Sequence, residues 1–255
     1  MRRFLIALPA AAAIARKAYR RGSLTQDGAI AATVVGGAVM GGGGLSGAAA
    51  LLTFFYSSSA LSRHRRADKD QAAAGIVDKG ETRDAAQVLA NGGVAALLCL
   101  LPQSRALRAA ALGALCAANA DTWATEIGLL AAGQPRDVLT LRPVPKGTSG
   151  AVSLTGCAGM AAGAALLAVL ARLQGPGLLL PVFLGGLAGG VGDSLLGATV
   201  QERRRCTTCG AATEQTRHRC GGATAVCGGI PGLDNDVVNA LATALGAAVA
   251  GVLAR

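Results

Sequence analysis

The segment NADTWATEIG, residues 119–128, sets two carboxylates and an asparagine inside an otherwise apolar run. At the helical repeat, Asn119, Thr122 and Glu126 fall within an arc of about 60°, with Asp121 and Thr125 on the adjoining side, giving a polar half-face about 160° wide. An ionisable side chain inside a membrane span is costly, so each is a functional candidate by default. The competing account is a satisfied polar network between helices. A further carboxylate, Asp193, lies in GGLAGGVGDSLLGATVQ (185–201), beside Ser194. Gly186, Gly189, Gly190 and Gly197 cluster within about 60° of it on a helix. Helix packing accounts for those glycines but not for Asp193.

Two more stretches repeat polar residues at helical spacing. In LDNDVVNALAT (233–243), Asn235, Asn239 and Thr243 recur at i, i+4 and i+8. Asp234 and Asp236 fall in the first turn, where acids also favour the helix dipole. In KGETRDAAQVLANGG (79–93), Asp84, Gln87 and Asn91 share a face. The pattern D-x-x-[QN]-x-L-A occurs at 84–90 and at 236–242, which hints at a duplicated helix.

The stretch PRDVLTLRPVPKGTSGAVS (135–153) adds a cation. Pro143 and Pro145 enforce an extended approach. Lys146, Gly147, Thr148, Ser149 and Gly150 are then expected to open a helix, where backbone N–H groups and the positive dipole end make a phosphate cradle. It is not a Walker A loop, because G-x-x-x-x-G-K is absent. Carboxylates plus such a cradle suit Mg²⁺-assisted phosphoryl or nucleotidyl transfer, with Asp121, Glu126 and Asp193 as Mg²⁺ ligands. Catalysis of that kind is positioning and charge neutralisation.

Seven cysteines divide into two groups. Cys99, Cys116 and Cys157 lie in apolar segments and read as small packing residues. Cys206, Cys209, His218 and Cys220 share one polar loop, with Cys227 as a spare or alternative ligand. Four soft ligands at this spacing suit a structural Zn²⁺ site; unliganded thiols in a loop are the other reading. His64 and the serines 57–59 read as residues of a helix end near the membrane interface.

The elements that must position these residues are membrane helices. The chain is 52% hydrophobic and 15% charged, with a mean hydropathy of +0.46, against about 25% charged for a soluble domain. Apolar runs cover about 4–15, 28–56, 84–101, 107–131, 148–171, 178–200 and 233–254, several of them at the roughly 20 residues a bilayer requires. The run at 28–56 is either one helix or two half-helices broken at the glycines 41–44. The expected fold is therefore an all-α polytopic bundle of about six to eight spans, a single domain over 1–255, with 201–232 inserted as a Cys-rich loop before the last helix. The loops at 57–83, 132–147 and 201–232 hold most interspan Lys and Arg, whereas 102–106 and 172–177 hold only Arg105 and Arg172. The positive-inside rule puts the basic loops in the cytoplasm, and the basic linker at 16–26 joins them only if the second run is a hairpin. The net charge of +10 is thus a matter of topology; with 3% aromatics there is no stacking platform for nucleic acid.

These same segments resemble the integral membrane family that includes transmembrane protein 19 and plant phytyl-phosphate kinase, long known as domain of unknown function 92. The matching stretches are FFYSSSALSR (54–63), 79–93, ANADTWATEIG (118–128), 135–153, 185–201 and 233–243, in the family's order. The resemblance implies transfer of a phosphate from a nucleoside triphosphate to a prenyl monophosphate, giving the diphosphate. A looser likeness to CTP-dependent dolichol kinases and phosphatidate cytidylyltransferases, in which an acidic membrane segment precedes a Lys-x-x-x-Gly-Ser type turn, supports the cradle without fixing the nucleotide, CTP being the donor placed first. The cysteine loop departs from the plant and animal pattern.

The expectation is a kinase of phytyl or polyprenyl monophosphate in a bacterial, archaeal or plastid membrane, with Asp121, Glu126, Asp193 and Lys146 at its centre. Asp84, Gln87, Asn91, Asn119, Gly147, Thr148, Ser149, Gly150, Ser194, Asn235, Asp236 and Asn239 complete the substrate pocket. The rivals are a nucleotidyltransferase making a CDP-lipid and a transporter or flippase using the carboxylates as an ion path.

Overall fold

The computed structural model describes residues 2–73, 76 and 82–255. Lys79 and the start of the 79–93 stretch lie outside the described residues. Eight helices are present among the described residues: α1 (Arg2–Arg20), α2 (Gln26–Arg63), α3 (Arg66–Ala73), α4 (Ala85–Cys99), α5 (Arg105–Leu129), α6 (Leu154–Ala171), α7 (Leu179–Thr199) and α8 (Asn235–Leu253). Four of them, α2, α6 (extended to Gln174), α7 and α8, are long and apolar enough to cross a membrane by length and composition. Leu5, Ile6, Leu45, Leu97 and Leu154 are exposed on the outside. An apolar exterior over helices whose backbone bonds are internal is what hydrocarbon demands of a spanning protein.

The long helix α2 is a hairpin. Its backbone is left-handed at Gly44 (φ 63°, ψ −153°), which divides it into limbs 26–43 and 45–63. A methyl group on Gly47 would meet the Val39 carbonyl oxygen at 2.9 Å, and one on Gly36 would touch Leu51. Val39 and Gly47 would be about 12 Å apart in a straight helix. The neighbours agree: Val35 and Gly42 of the first limb meet Gly92 and Cys99 of α4, while Ser57 and Ser62 of the second limb bond Asn119 and Glu126 of α5. Each limb therefore runs parallel to one of two antiparallel helices. The reversal brings the linker before α2 beside residue 83, where Thr25 N–H donates to the Arg83 carbonyl at 3.0 Å. All the basic loops, including the linker, then lie at one end.

Helix ends are fixed by local chemistry. Thr25, Asp84, Ser104, Ser153 and Asp234 cap α2, α4, α5, α6 and α8, each accepting a backbone N–H from three residues on, which satisfies donors the helix itself leaves open. Asp84 and Gln87 form a reciprocal capping box. Asp236, in contrast, lies inside the first turn of α8. The two copies of D-x-x-[QN]-x-L-A thus begin at different positions relative to their helix starts.

The centre of the bundle is packed by small residues. A Cβ on Gly186 would meet Cys116 Sγ at 2.3 Å, and one on Gly189 would meet Ala117 Cβ at 2.3 Å. Gly246 of α8 is equally tight against Ala117 and the Gly113 and Gly185 carbonyls. Glycine and alanine here let α5, α7 and α8 approach to backbone contact. Two small sheets sit at the basic end. Strands β1 (Arg136–Asp137) and β2 (Ala151–Val152) pair antiparallel; β3 (Arg203–Cys206), β4 (Ala212–Thr213) and β5 (Thr224–Gly228) form a sheet in the order β4-β3-β5.

Candidate functional site

Close packing of α5 on α7 brings Asp121 and Asp193 together. Their carboxyl groups face each other across the two helices, close enough to interact. Among the described residues, Asp193 Oδ2 is shielded from solvent and finds no hydrogen-bond partner. Two carboxylates in contact cannot both be charged without a shared proton or a cation between them. They lie on the wall of a cavity of about 630 Å³ at the basic end of the bundle, which also carries Thr122, Thr125, Ser194, Asn235, Asp236 and Asn239.

Glu126, expected beside them as a third ligand, lies on the same cavity wall but is engaged elsewhere. One oxygen accepts from Lys69 Nζ at 2.6 Å and the other from Ser62 Oγ at 2.5 Å. Lys69 is 5% exposed and also donates to the Leu61 carbonyl. The short helix α3 carries this cation. Lys146 reaches the same space, with Nζ donating to the Leu129 carbonyl at 3.1 Å and to the Ala131 carbonyl. It closes the C-terminus of α5, where a cation meets the negative end of the dipole.

The turn at 146–150 also lines the cavity, though not as a helix start. The helix begins at Leu154, capped by Ser153, and β2 intervenes. That is the correction to the expected cradle: the positive end of α6 is separated from the turn by the strand. The turn is shaped instead by left-handed Gly147 (φ 84°) and Gly150 (φ 77°). A Cβ on Gly150 would lie 2.5 Å from Ala198 Cβ, so the turn rests directly on α7. Thr148 closes it through the Pro145 carbonyl at 2.8 Å, and Ser149 Oγ donates to Glu214 at 2.5 Å.

Two expected residues fall outside the cavity wall. Asp84 caps α4. Asn119 is fully buried, donating to the Gly163 carbonyl at 2.8 Å and accepting from Ser57 Oγ at 3.1 Å, while Trp123 Nε1 donates to that same serine at 3.2 Å. This network joins α2, α5 and α6 and holds Asn119 in the packed interior, away from the cavity. Gln87 and Asn91 do line the cavity. His64 and Ser57 thus have structural positions at the helix end and within the bundle.

Sequence reading missed several wall residues. Arg66, Lys69, Arg83 and Arg219 were counted only as loop charge, and Glu202 and Glu214 were passed over. Lys69 stands between Asp68 and Asp70 in a basic loop, and nothing local sets it apart from the other loop charges. Among the described residues, carboxylates outnumber Lys and Arg around the wall. Glu202 is held below the ordinary carboxylate range by the Gly232 N–H and by Arg204.

The four residues expected as zinc ligands also converge. Cys206, Cys209, His218 and Cys220 offer ligand atoms all within 4.8 Å of one another. Cys227 lies on β5 outside the group. The Cys209 N–H, with that of Thr208, holds the Cys206 thiol down to about 7.

Comparison with known proteins gives a consistent picture. The family profile described as "Integral membrane protein DUF92" matches residues 9–247. Protein PGR of Arabidopsis thaliana is 30% identical over 249 aligned residues, covering 80% of this chain and 81% of the relative. An uncharacterized membrane protein of Synechocystis sp. is 30% identical over 197 residues, covering 73% of this chain and 66% of its own length. One from Methanocaldococcus jannaschii is 32% identical over 94 residues, covering 36% and 40%. No solved structure matches.

Proposed function

Because the chain belongs to the integral membrane family DUF92, we propose that it is a membrane-embedded kinase that transfers a phosphate from a nucleoside triphosphate, CTP in first place, to an isoprenoid monophosphate. The observation that carries this reading is the Asp121–Asp193 pair, with its orphaned Oδ2, in the wall of a polar cavity large enough for a nucleotide. The donor set fits Mg²⁺, a hard cation that takes one or two protein carboxylates together with substrate phosphates. Asp121 and Asp193 would hold it; Glu126, occupied by Lys69 and Ser62, would orient the wall instead. When bound, the ion supplies charge neutralisation for the phosphates.

The protein's own groups do the rest by positioning. Lys146 and Arg219 put positive charge on the wall beside Ser149 and Thr148, which suits phosphate oxygens. Arg83, whose Nη1 donates to Ser59 Oγ at 2.9 Å, stands between the cavity and a small apolar groove of about 80 Å³ between α1, α2 and α4. Gln87 and Asn91 border both spaces. A lipid phosphate at Arg83 would have its head in the polar space and the start of its tail in the groove. The site opens at the end the positive-inside rule assigns to the cytoplasm, where nucleotides are.

Purified protein with phytyl or geranylgeranyl monophosphate, Mg²⁺ and each of the four nucleoside triphosphates tests the proposal. Lipid diphosphate with release of the nucleoside diphosphate supports it. Release of pyrophosphate makes the protein a nucleotidyltransferase instead. Lipid flux in sealed vesicles without turnover makes it a transporter.

A further inference from the structure

We infer that the loop between α7 and α8 is a zinc-bound module, Cys206, Cys209, His218 and Cys220 being its ligands, and that the metal holds Glu214 and Arg219 at the mouth of the cavity. Tetrahedral Zn²⁺ with Zn–S of about 2.3 Å and Zn–N of about 2.0 Å requires ligand atoms roughly 3.5–3.8 Å apart. Cys206 and Cys220 sulfurs lie 3.5 Å apart, Cys209 and Cys220 sulfurs 3.7 Å, and Cys209 Sγ lies 3.4 Å from His218 Nδ1.

The backbone is built for it. Cys206 to Cys209 and His218 to Cys220 each lie in a tight turn that ends in a left-handed glycine, Gly210 (φ 71°) and Gly221 (φ 85°). Gly210 N–H donates back to the Cys206 carbonyl at 3.0 Å and Gly221 N–H to the His218 carbonyl at 2.8 Å. A side chain on Gly222 would meet Cys206 Sγ at 2.8 Å, so only glycine lets the turns close on one another. Three thiolates and a neutral imidazole leave the loaded site with one net negative charge. Arg205 and Arg217, which donate to the Gly210 and Gly221 carbonyls, bring positive charge beside it. Four protein ligands close the coordination shell, so the metal is structural and not a Lewis acid.

Its consequence lies between the ligand pairs. The segment 210–217 has little apolar burial of its own, yet Glu214 reaches Ser149 Oγ at 2.5 Å and Gln201 Nε2 at 2.9 Å. The metal cross-links both ends of that segment and so fixes where Glu214 stands against the 146–150 turn. This inference does not rest on the proposed kinase activity, and its readouts are metal content and chain accessibility.

Full-length protein purified in detergent is expected to carry about one zinc per chain by mass spectrometry of the metal. Cys209→Ser and Cys220→Ser should reduce it to background, and Cys227→Ser should leave it unchanged. Cobalt exchanged into the wild-type chain should give thiolate-to-metal absorption, which keeps the test open if the variants fail to fold. Trypsin should cut at Arg217 and Arg219 only after chelation. A folded wild-type chain without zinc, iron in its place, or zinc retained after Cys209→Ser overturns the site. Equal cleavage with and without chelator overturns the positioning role.

Discussion

Two acidic patches face the same cavity and are resolved in opposite ways. On the α3 side, Glu126 meets a fixed protein cation and a hydroxyl, so both of its oxygens are satisfied. Where α5 crosses α7, Asp121 and Asp193 face each other, and one oxygen finds no partner among the described residues. A buried acid with its own lysine is complete without a ligand; two acids in contact are not. The contrast separates a residue that shapes the wall from a pair that needs something brought to it, although all three are equally conspicuous as intramembrane carboxylates.

The largest test of that contrast removes charge from the incomplete pair. Asp193→Asn or Asp121→Asn should lower turnover of an isoprenoid monophosphate at least about 100-fold, the scale of losing a group that positions transition-state charge. Glu126→Gln should retain measurable turnover in the same assay. Equal losses at all three positions would erase the distinction.

Next is stability. Lys69→Met leaves Glu126 without its cation and should cost about 2 kcal/mol, below the 3–5 of a dry pair because the cavity admits water. Lys69→Met with Glu126→Gln should recover most of it, as seen by thermal unfolding in detergent. A tighter handle on the other pair is the helix spacing. Gly189→Ala drives a methyl into Ala117 and should cost about 1–3 kcal/mol, with loss of turnover as Asp193 moves from Asp121. Asp84→Ala, which removes the cap of α4 outside the cavity wall, should cost about 1 kcal/mol and lower turnover far less than either central aspartate.

The smallest effect concerns pH. Glu202 sits below its ordinary value of 4.5 because Gly232 N–H and Arg204 favour the charged form. Its contribution is fully present above pH 4.5 and is lost as pH falls through the lowered folded value. Proteolysis of the 201–232 loop should therefore quicken only well below pH 4.5; quickening near neutrality would point to the cysteine–histidine cluster instead.

Much of this was legible in the residues. Hydropathy and the scarcity of charge identified a membrane bundle, helical spacing marked the polar faces, and C-x2-C with a nearby His-x-Cys marked residues that the fold brings together. These signals are local, carried by residues within a few turns of each other. Serine and aspartate caps, likewise, act on N–H groups three positions away. What could not be read was which faces meet. Asp84 and Asp236 stand in the same seven-residue pattern, yet one caps a helix and the other lines the cavity, because helix register shifts by two residues between them. Asn119 and Asp121 share one helix, yet Gly163 and Ser57 close off the first and Asp193 confronts the second. The reversal at Gly44, which sets the order of the whole bundle, was written only as four glycines. Residue type and periodicity fix what a helix face carries; contacts between segments far apart in the chain depend on close packing of backbones, and only the folded bundle decides them.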